Sequence, residues 1–382
     1  MKLKIAVVHT FFDEAGGGER LALEMVRALR ELGNRVDLYT AHVDERAWSV
    51  LTSGLEDPPR PIPLGEPLIT RALRLTGRFV RLRRLYAITR LAGRVRRVTK
   101  DYDLVIETQT NVPVFWTDAS YIHFPAIIDY LAAQGKAGAL RRLYDWLVER
   151  EIRGLIDSTK PIMTNSTWTA ERVREAYGSP KVYVVHPPVN VNELLPLGGE
   201  REKIVLTISR LTPEKNLHLI PRIAKAVPEA KFYLVGAYGP SSLEAMFAIK
   251  QELKGVRNFY FEVDAPRKRI LELMSRASVY LHPPFAEHFG IAIAEAAAAG
   301  LVPVVYRDGG GWTDIVSKID KGLGYTSVEE AAHIVRSLLN DPGRLKELSA
   351  RAREVAKGFS YEGFKERVAE VMEDIATRSR CS

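Results

Sequence analysis

Short runs of consecutive apolar residues alternate along the chain with longer segments whose apolar positions recur every three or four residues. KIAVVHTF is followed by a helical pattern from Glu19 to about Leu32, and then come RVDLYT, DLVIET, SYIHF, PIMTNS and KVYVVHP. Such runs, bounded by polar turns and separated by helix-length segments, predict a parallel β-sheet covered by helices. A turn-rich stretch from Pro187 to Gly199 interrupts the pattern, which restarts with KIVLTIS, KFYLVGA, FYFEV, VYLHP and VPVVYR. The prediction is an α/β chain of two doubly wound units with a boundary near Asn192: residues 1–192, residues 193–359, and a terminal helix at 360–382 packing back on the first unit. Ligands of such sheets bind beyond the carboxyl ends of the strands. Residues that carry chemistry are therefore expected just after strands.

Composition changes this picture little. At 382 residues and 46% hydrophobic the chain has material for two ordinary cores. Its one cysteine, Cys381, excludes an intramolecular disulfide and a cysteine metal cluster, which fits a reducing, cytoplasmic setting. The opening MKLKIAVVHTFF is followed by Asp13 and Glu14 and reads as a first strand, not a secretion signal. No run reaches the roughly 18 apolar residues of a spanning helix. The chain is expected not to cross a membrane.

Charge adds a second feature. The net charge is +8 and the pI near 9.4, which implies attraction to anions. Between Arg71 and Lys100 lie eleven cations and no acidic residue, interleaved with Leu75, Phe79, Leu82, Tyr86 and Val98. A basic amphipathic helical segment is predicted, with an anionic membrane surface as its expected partner and Arg81, Arg83 and Arg84 as contacts; the alternative is a solvated helix face. The chain has no RNP aromatic motif, zinc-finger spacing or basic zipper, so no nucleic-acid partner is expected.

Three segments carry candidate chemistry. Gly16-Gly17-Gly18-Glu19-Arg20 joins the first strand to a helix and gives a ligand room to approach backbone amides at the helix start. Ser209 to Asn216 follows the first strand of the second unit; Arg210 and Lys215 can converge on one diphosphate there, and Asn216 can cap the next helix. Downstream lies EHFGIAIAE, from Glu287 to Glu295. Were that span wholly helical, its two carboxylates would stand ~12 Å apart, outside the roughly 5–9.5 Å used by glycosidases. A hydrolytic pair is not the reading. The amides of Phe289, Gly290 and Ile291 at the helix start suit phosphates, with Glu287 toward sugar hydroxyls and Glu295 toward a ribose.

EHFGIAIAEAAAAG resembles the Glu-x7-Glu motif of retaining glycosyltransferase family 4. GGGER, YIHFP (Tyr121–Pro125), NSTWT (Asn165–Thr169), VVHPPVN (Val184–Asn190) and SRLTPEKN resemble segments in the same order in that family. They are most similar to its mannosyltransferases that extend lipid-linked oligosaccharides from GDP-mannose. The resemblance implies a GT-B fold, two Rossmann-like domains facing a central cleft. It also implies a nucleotide-sugar donor held mainly by the second domain, retention of anomeric configuration, and no metal or other cofactor. Carried over by position, Arg210 and Lys215 hold the donor diphosphate, Glu287 the donor sugar and Glu295 the ribose. Gly17 and Gly18 approach the donor from the first domain, and His123 faces the reacting sugar. His288 departs from the glycine of many relatives and narrows the expected sugar pocket. The implied activity is transfer of a hexose, first mannose from GDP-mannose, to a lipid-linked or glycolipid hydroxyl at the cytoplasmic face of a membrane. The alternatives are a UDP-sugar-dependent transferase with a soluble acceptor and a nucleotide-sugar epimerase of the same fold. Asn165-Ser166-Thr167 is read as a strand end and not as a glycosylation site. Asp13, Glu14, Asp118 and Asp129 are possible general bases, and none is assigned.

Overall fold

The computed structural model describes residues 2–55, 57–75, 80–128, 146, 149–239 and 241–379, with no side-chain account of 73–75, 80–88 and 376–379. The chain divides into two compact units, Met1–His186 together with Phe364–Ser382, and Pro187–Gly363. Asn192 lies inside the second unit, on the short helix Val191–Leu194.

The strands of the first unit are β1 (Lys4–Val8), β2 (Phe11–Phe12), β3 (Arg35–Thr40), β4 (His42–Val43), β5 (Ile62–Pro63), β6 (Leu104–Glu107), β7 (Ala119–Ile122), β8 (Ile162–Thr164) and β9 (Val182–Val184). Seven of them form one parallel sheet in the order β5-β3-β1-β6-β7-β8-β9, and β2 pairs with β4 apart from it. Ile5, Ala6 and Val7 are fully buried, as a central strand covered on both faces requires. The chain runs outward from β1 through β3 on one side and from β6 through β7 on the other. The loops after β1 and β6 therefore diverge, opening the crevice where doubly wound sheets hold ligands. The helix Gly17–Glu31 buries Leu21, Met25, Val26 and Leu29. It starts two residues before the predicted Glu19, because Gly17 and Gly18 join its first turn.

The helix Tyr361–Ser379 holds to the first unit through Lys365, whose ammonium lies 2.9 Å from Glu31, and through Arg367, which donates to the Val184 carbonyl. Tyr183 donates its hydroxyl to Asp374. The basic segment forms the helices Leu68–Leu75 and Val80–Val98. In the last turns of the second, Leu91, Ala92 and Val95 are buried with Ala6, Val8 and Val105, while Arg90, Arg96 and Arg97 are exposed. The apolar stripe there faces the core of its own unit. The side chains of Arg81, Arg83 and Arg84 lie outside the described ones. No helix among the described residues is long and apolar enough to cross a membrane.

The second unit repeats the plan with β10 (Glu202–Arg210), β11 (Lys231–Ala237), β12 (Phe259–Val263), β13 (Ala277–His282), β14 (Val302–Tyr306) and β15 (Gly324–Tyr325). They form a parallel sheet in the order β12-β11-β10-β13-β14-β15, whose reversal lies between β10 and β13. Ala294 and Ala296–Ala299 are fully buried, so the helix Ile291–Ala298 sits close against its neighbours. Arg201 and Arg353 cap the far end of that helix, both donating to the Ala299 carbonyl. Burial, with Arg353 beside it, lowers Arg201 to about 10.

Candidate active site

The switch point of the second sheet gathers two chemical groups, Lys215 and His282, on the Glu287 carboxylate. β10 ends at Arg210, and the short turn Pro213–Lys215 turns Lys215 back, so that its Nζ lies 2.6 Å from Glu287 Oε2. β13 ends at His282, whose Nε2 lies 2.9 Å from the same oxygen. Burial alone would push the Glu287 carboxyl up. The His282 hydrogen bond and the Lys215 ammonium outweigh it and hold the group well below the usual carboxylate range. Burial holds the His282 imidazole below its ordinary value against the pull of the Glu287 carboxylate, and the ring faces that carboxylate through Nε2. Asn216, offered by the sequence as a cap for the following helix, instead closes the Lys215 turn in a left-handed conformation, φ 49°; the helix Leu219–Ala226 begins only after His218.

The backbone around Glu287 is held in costly geometry. Ala286 adopts φ 50°, a left-handed conformation that costs a residue with a Cβ roughly 1–2 kcal/mol. Gly290 adopts φ 88° and caps the helix Ile291–Ala298 without any side-chain hydrogen bond. The positive φ at Gly290 favours glycine, and an added Cβ would also stand 2.5 Å from Ile293 Cδ1, the end of a side chain that would have to shift. The Phe289 ring is buried against Phe359, centroids 5.2 Å apart, which anchors the loop from below. The first amides of the helix start at Gly290 and Ile291, the arrangement that accepts phosphate oxygens. Arg210 is exposed at the strand end. Glu295 lies four residues into the same helix, 3.6 Å from Arg267, which also pairs with Glu193 at 2.5 Å. His288 is half-buried, and burial holds its imidazole below the ordinary value.

The first unit builds a separate cluster at its own switch point. His9 follows β1 and donates or accepts through Nδ1 with Thr108 Oγ1 at 2.9 Å, just after β6. His123 follows β7; its Nε2–H donates to the Thr108 carbonyl at 3.2 Å, and its backbone amide donates to Asn111 Oδ1 at 2.8 Å. Asn165 Nδ2 donates to the His123 carbonyl, so the strand end read from NSTWT also secures the histidine. The ring lies against Gly18, where an added Cβ would stand 3.4 Å from Nε2. Gly17 and Gly18 form the first turn of a helix whose N-cap, Gly16, supplies no side-chain bond. Below the loop, Glu107 is fully buried and accepts from the amides of Gln109 and Thr110, each at 2.7 Å, and from Thr110 Oγ1 at 2.5 Å. Burial pushes it up to about 7.

The structure thus joins Lys215 to Glu287 in one unit and Gly18 to His123 in the other. Sequence reasoning missed His282, His9, Thr108 and Glu107. His282 and His9 were legible as histidines at strand ends; Thr108 and Glu107 carry no signal apart from the fold. Among the described residues no group of three or more His, Cys, Asp or Glu could hold a metal ion.

Two family models match in succession: Glycosyltransferase Family 4 over residues 15–193 and Glycosyl transferases group 1 over residues 197–358. The chain belongs to the family 4 glycosyltransferases. Solved structures similar to this glycosyltransferase include sucrose-phosphate synthase of Thermosynechococcus elongatus, with TM-score 0.74 at 17% identity over 98% of this chain and 100% of that one. WaaG, a glycosyltransferase involved in lipopolysaccharide biosynthesis, gives 0.68 at 17% over 96% and 99%. They establish the GT-B fold. Among curated relatives, the GDP-Man:Man(3)GlcNAc(2)-PP-Dol alpha-1,2-mannosyltransferase of Dictyostelium discoideum is 25% identical over 69% of this chain and 60% of its own. The enzyme of that name from Neurospora crassa is 30% identical over 67% and 56%. This glycosyltransferase therefore spans less than two thirds of either relative. An alpha-1,3/1,6-mannosyltransferase of Mus musculus is 26% identical over 91% of both chains.

Proposed function

We propose that this glycosyltransferase moves mannose from GDP-mannose to a hydroxyl of a lipid-linked oligosaccharide, with retention of configuration. The observation that carries the reading is the Lys215–Glu287–His282 cluster at the carboxyl end of a doubly wound sheet and beside a helix start. It sets one ionised carboxylate, suited to sugar hydroxyls, next to the Lys215 ammonium and to helix-start amides suited to a diphosphate. The names of the relatives supply the sugar, the nucleotide and the lipid-linked acceptor. In this reading Arg210 and Lys215 take the diphosphate, with the amides of Phe289, Gly290 and Ile291. Glu287 takes the donor sugar and Glu295 the ribose, while His123 and the Gly17-Gly18 turn serve the reacting sugar. The protein works at the cytoplasmic face of a membrane, attached peripherally.

The test is a thermal-shift series with GDP-mannose, GDP, UDP-glucose and UDP, followed by product analysis with a dolichol- or polyprenol-linked oligosaccharide. At 100 times its dissociation constant the true donor raises stability by about 2.7 kcal/mol. GDP-mannose is expected to give the largest shift and to label the lipid-linked acceptor. A larger shift with a uridine sugar, or hydrolysis or epimerisation without transfer, overturns the reading. Glu287→Ala is expected to stay folded and lose most transfer.

A further inference from the structure

We infer that His282 is a positioning residue that fixes the orientation of the Glu287 carboxylate for the reacting sugar. The inference rests on the reading of Glu287 as the donor-sugar contact. Both recorded bonds to this carboxylate, from Lys215 Nζ at 2.6 Å and from His282 Nε2 at 2.9 Å, fall on Oε2. Oε1 carries no hydrogen bond among the described residues, and the side chain keeps 18% of its surface exposed. One oxygen is tied down and the other is presented.

The two donors differ in kind. Lys215 lies on a short turn at the end of a flexible stem, and a diphosphate beside it competes with Glu287 for its ammonium. His282 is the last residue of β13, 4% exposed, with its ring stacked on Tyr280 at 6.0 Å and its carbonyl held by the Tyr325 hydroxyl at 3.1 Å. It has no comparable freedom to leave. The tautomer follows from the partners. An ionised carboxylate only accepts, so Nε2 carries the proton; Nδ1 is buried with no hydrogen-bond partner among the described residues and so is the bare nitrogen of a neutral ring. His282 thus supplies direction without adding charge, and Lys215 supplies charge that is shared with the phosphates. When the diphosphate draws the ammonium, the His282 bond is what remains on Oε2. An error of about 1 Å in such a contact costs on the order of 10²-fold in rate.

The experiment compares His282→Phe, His282→Gln and Glu287→Ala in the full-length enzyme, with GDP-mannose and a lipid-linked acceptor, after thermal melts. Phe keeps the ring and removes the donor, whereas the Gln amide reaches about as far as Nε2 and restores it. His282→Phe is expected to lower kcat about 10²-fold with the donor KM changed less than threefold, and His282→Gln to recover at least tenfold of that loss. If Phe fails to fold, the Gln variant still decides: it must retain a tenth or more of wild-type kcat. Wild-type kcat in a folded Phe variant, or a Gln variant as impaired as Phe, overturns the inference. Near-normal turnover of Glu287→Ala instead removes the reading on which it rests.

Discussion

Gly309 and Glu287 meet backbone to backbone: a Cβ on Gly309 would stand 2.4 Å from the Glu287 carbonyl oxygen and 2.5 Å from its amide nitrogen. The two residues form an isolated parallel bridge, and Gly309 adopts φ 92°, a left-handed conformation natural only to glycine. The loop after β14 is therefore a wall against which the Glu287 backbone is set. Gly309→Ala must move that wall or Glu287 itself. The expected outcome is a loss of about 1–2 kcal/mol from the φ term alone, with kcat falling on the order of 10²-fold through displacement of the carboxylate. Denaturation and steady-state kinetics on the same preparation check both. Unchanged kcat in the variant would show that the contact has no bearing on the reaction.

Arg210 and Lys215 flank one turn, and both are assigned to phosphate charge. Arg210→Ala with Lys215→Ala is expected to weaken GDP binding at least tenfold more than guanosine binding, measured by calorimetry, because the nucleoside has no diphosphate to lose. Equal losses for the two ligands count against the assignment. With those cations and a helix start in the metal's usual place, transfer is expected to persist in excess EDTA. Activity abolished by chelator and restored by magnesium or manganese overturns this.

The sheet organisation was legible because KIAVVHTF, KIVLTIS and their fellows are apolar on both faces, and only strands between two helical layers need that. EHFGIAIAE was legible because a glycine before an alanine-rich run marks a tight helix start. The bonds that aim the chemistry were not. His282 precedes Glu287 by five residues, but its ring meets Oε2 only because β13 ends where the Glu287 loop returns, a fact of tertiary packing. Glu107 was hidden for the opposite reason, since a charged residue ending a strand usually reads as solvated. The arginine-rich helix was half legible: its periodicity was right, but the pattern does not state what the stripe faces, and Leu91 and Val95 face the core.

Glu107 gives the first unit a pH signature. Its carboxyl is raised from 4.5 to about 7 by burial, so the folded state binds a proton more tightly than the unfolded chain. Stability from this group is therefore fully present below about pH 4.5 and is lost as pH rises through 7. The shift corresponds to on the order of 3 kcal/mol. Glu107→Gln keeps an acceptor for the two amides and cannot ionise. Relative to wild type, the variant is expected to gain stability between pH 5 and pH 8, read by urea denaturation at each pH. A stability difference independent of pH would place the Glu107 titration in the ordinary carboxylate range.

The basic segment from Arg71 to Lys100 is expected to dock the first unit on an anionic bilayer. Eleven cations without a counter-charge repel one another unless solvent or an anionic partner screens them. Solvent would suffice if every apolar position faced the core, as Leu91, Ala92 and Val95 do. Leu68 and Ile69, at the start of the helix Leu68–Leu75, do not: they are 83% and 45% exposed beside exposed Arg71. Large apolar side chains next to cations suit shallow insertion beneath anionic headgroups. Co-sedimentation with phosphatidylcholine vesicles containing increasing phosphatidylserine is expected to show binding that rises with anionic content and falls with salt. Arg81→Glu, Arg83→Glu and Arg84→Glu together should weaken it through charge. Leu68→Asp with Ile69→Asp should weaken it at high salt as well, where screening leaves mainly the apolar contribution. If the wild-type protein ignores anionic vesicles at low salt, the segment is a solvated face, and the enzyme meets its acceptor by some other surface.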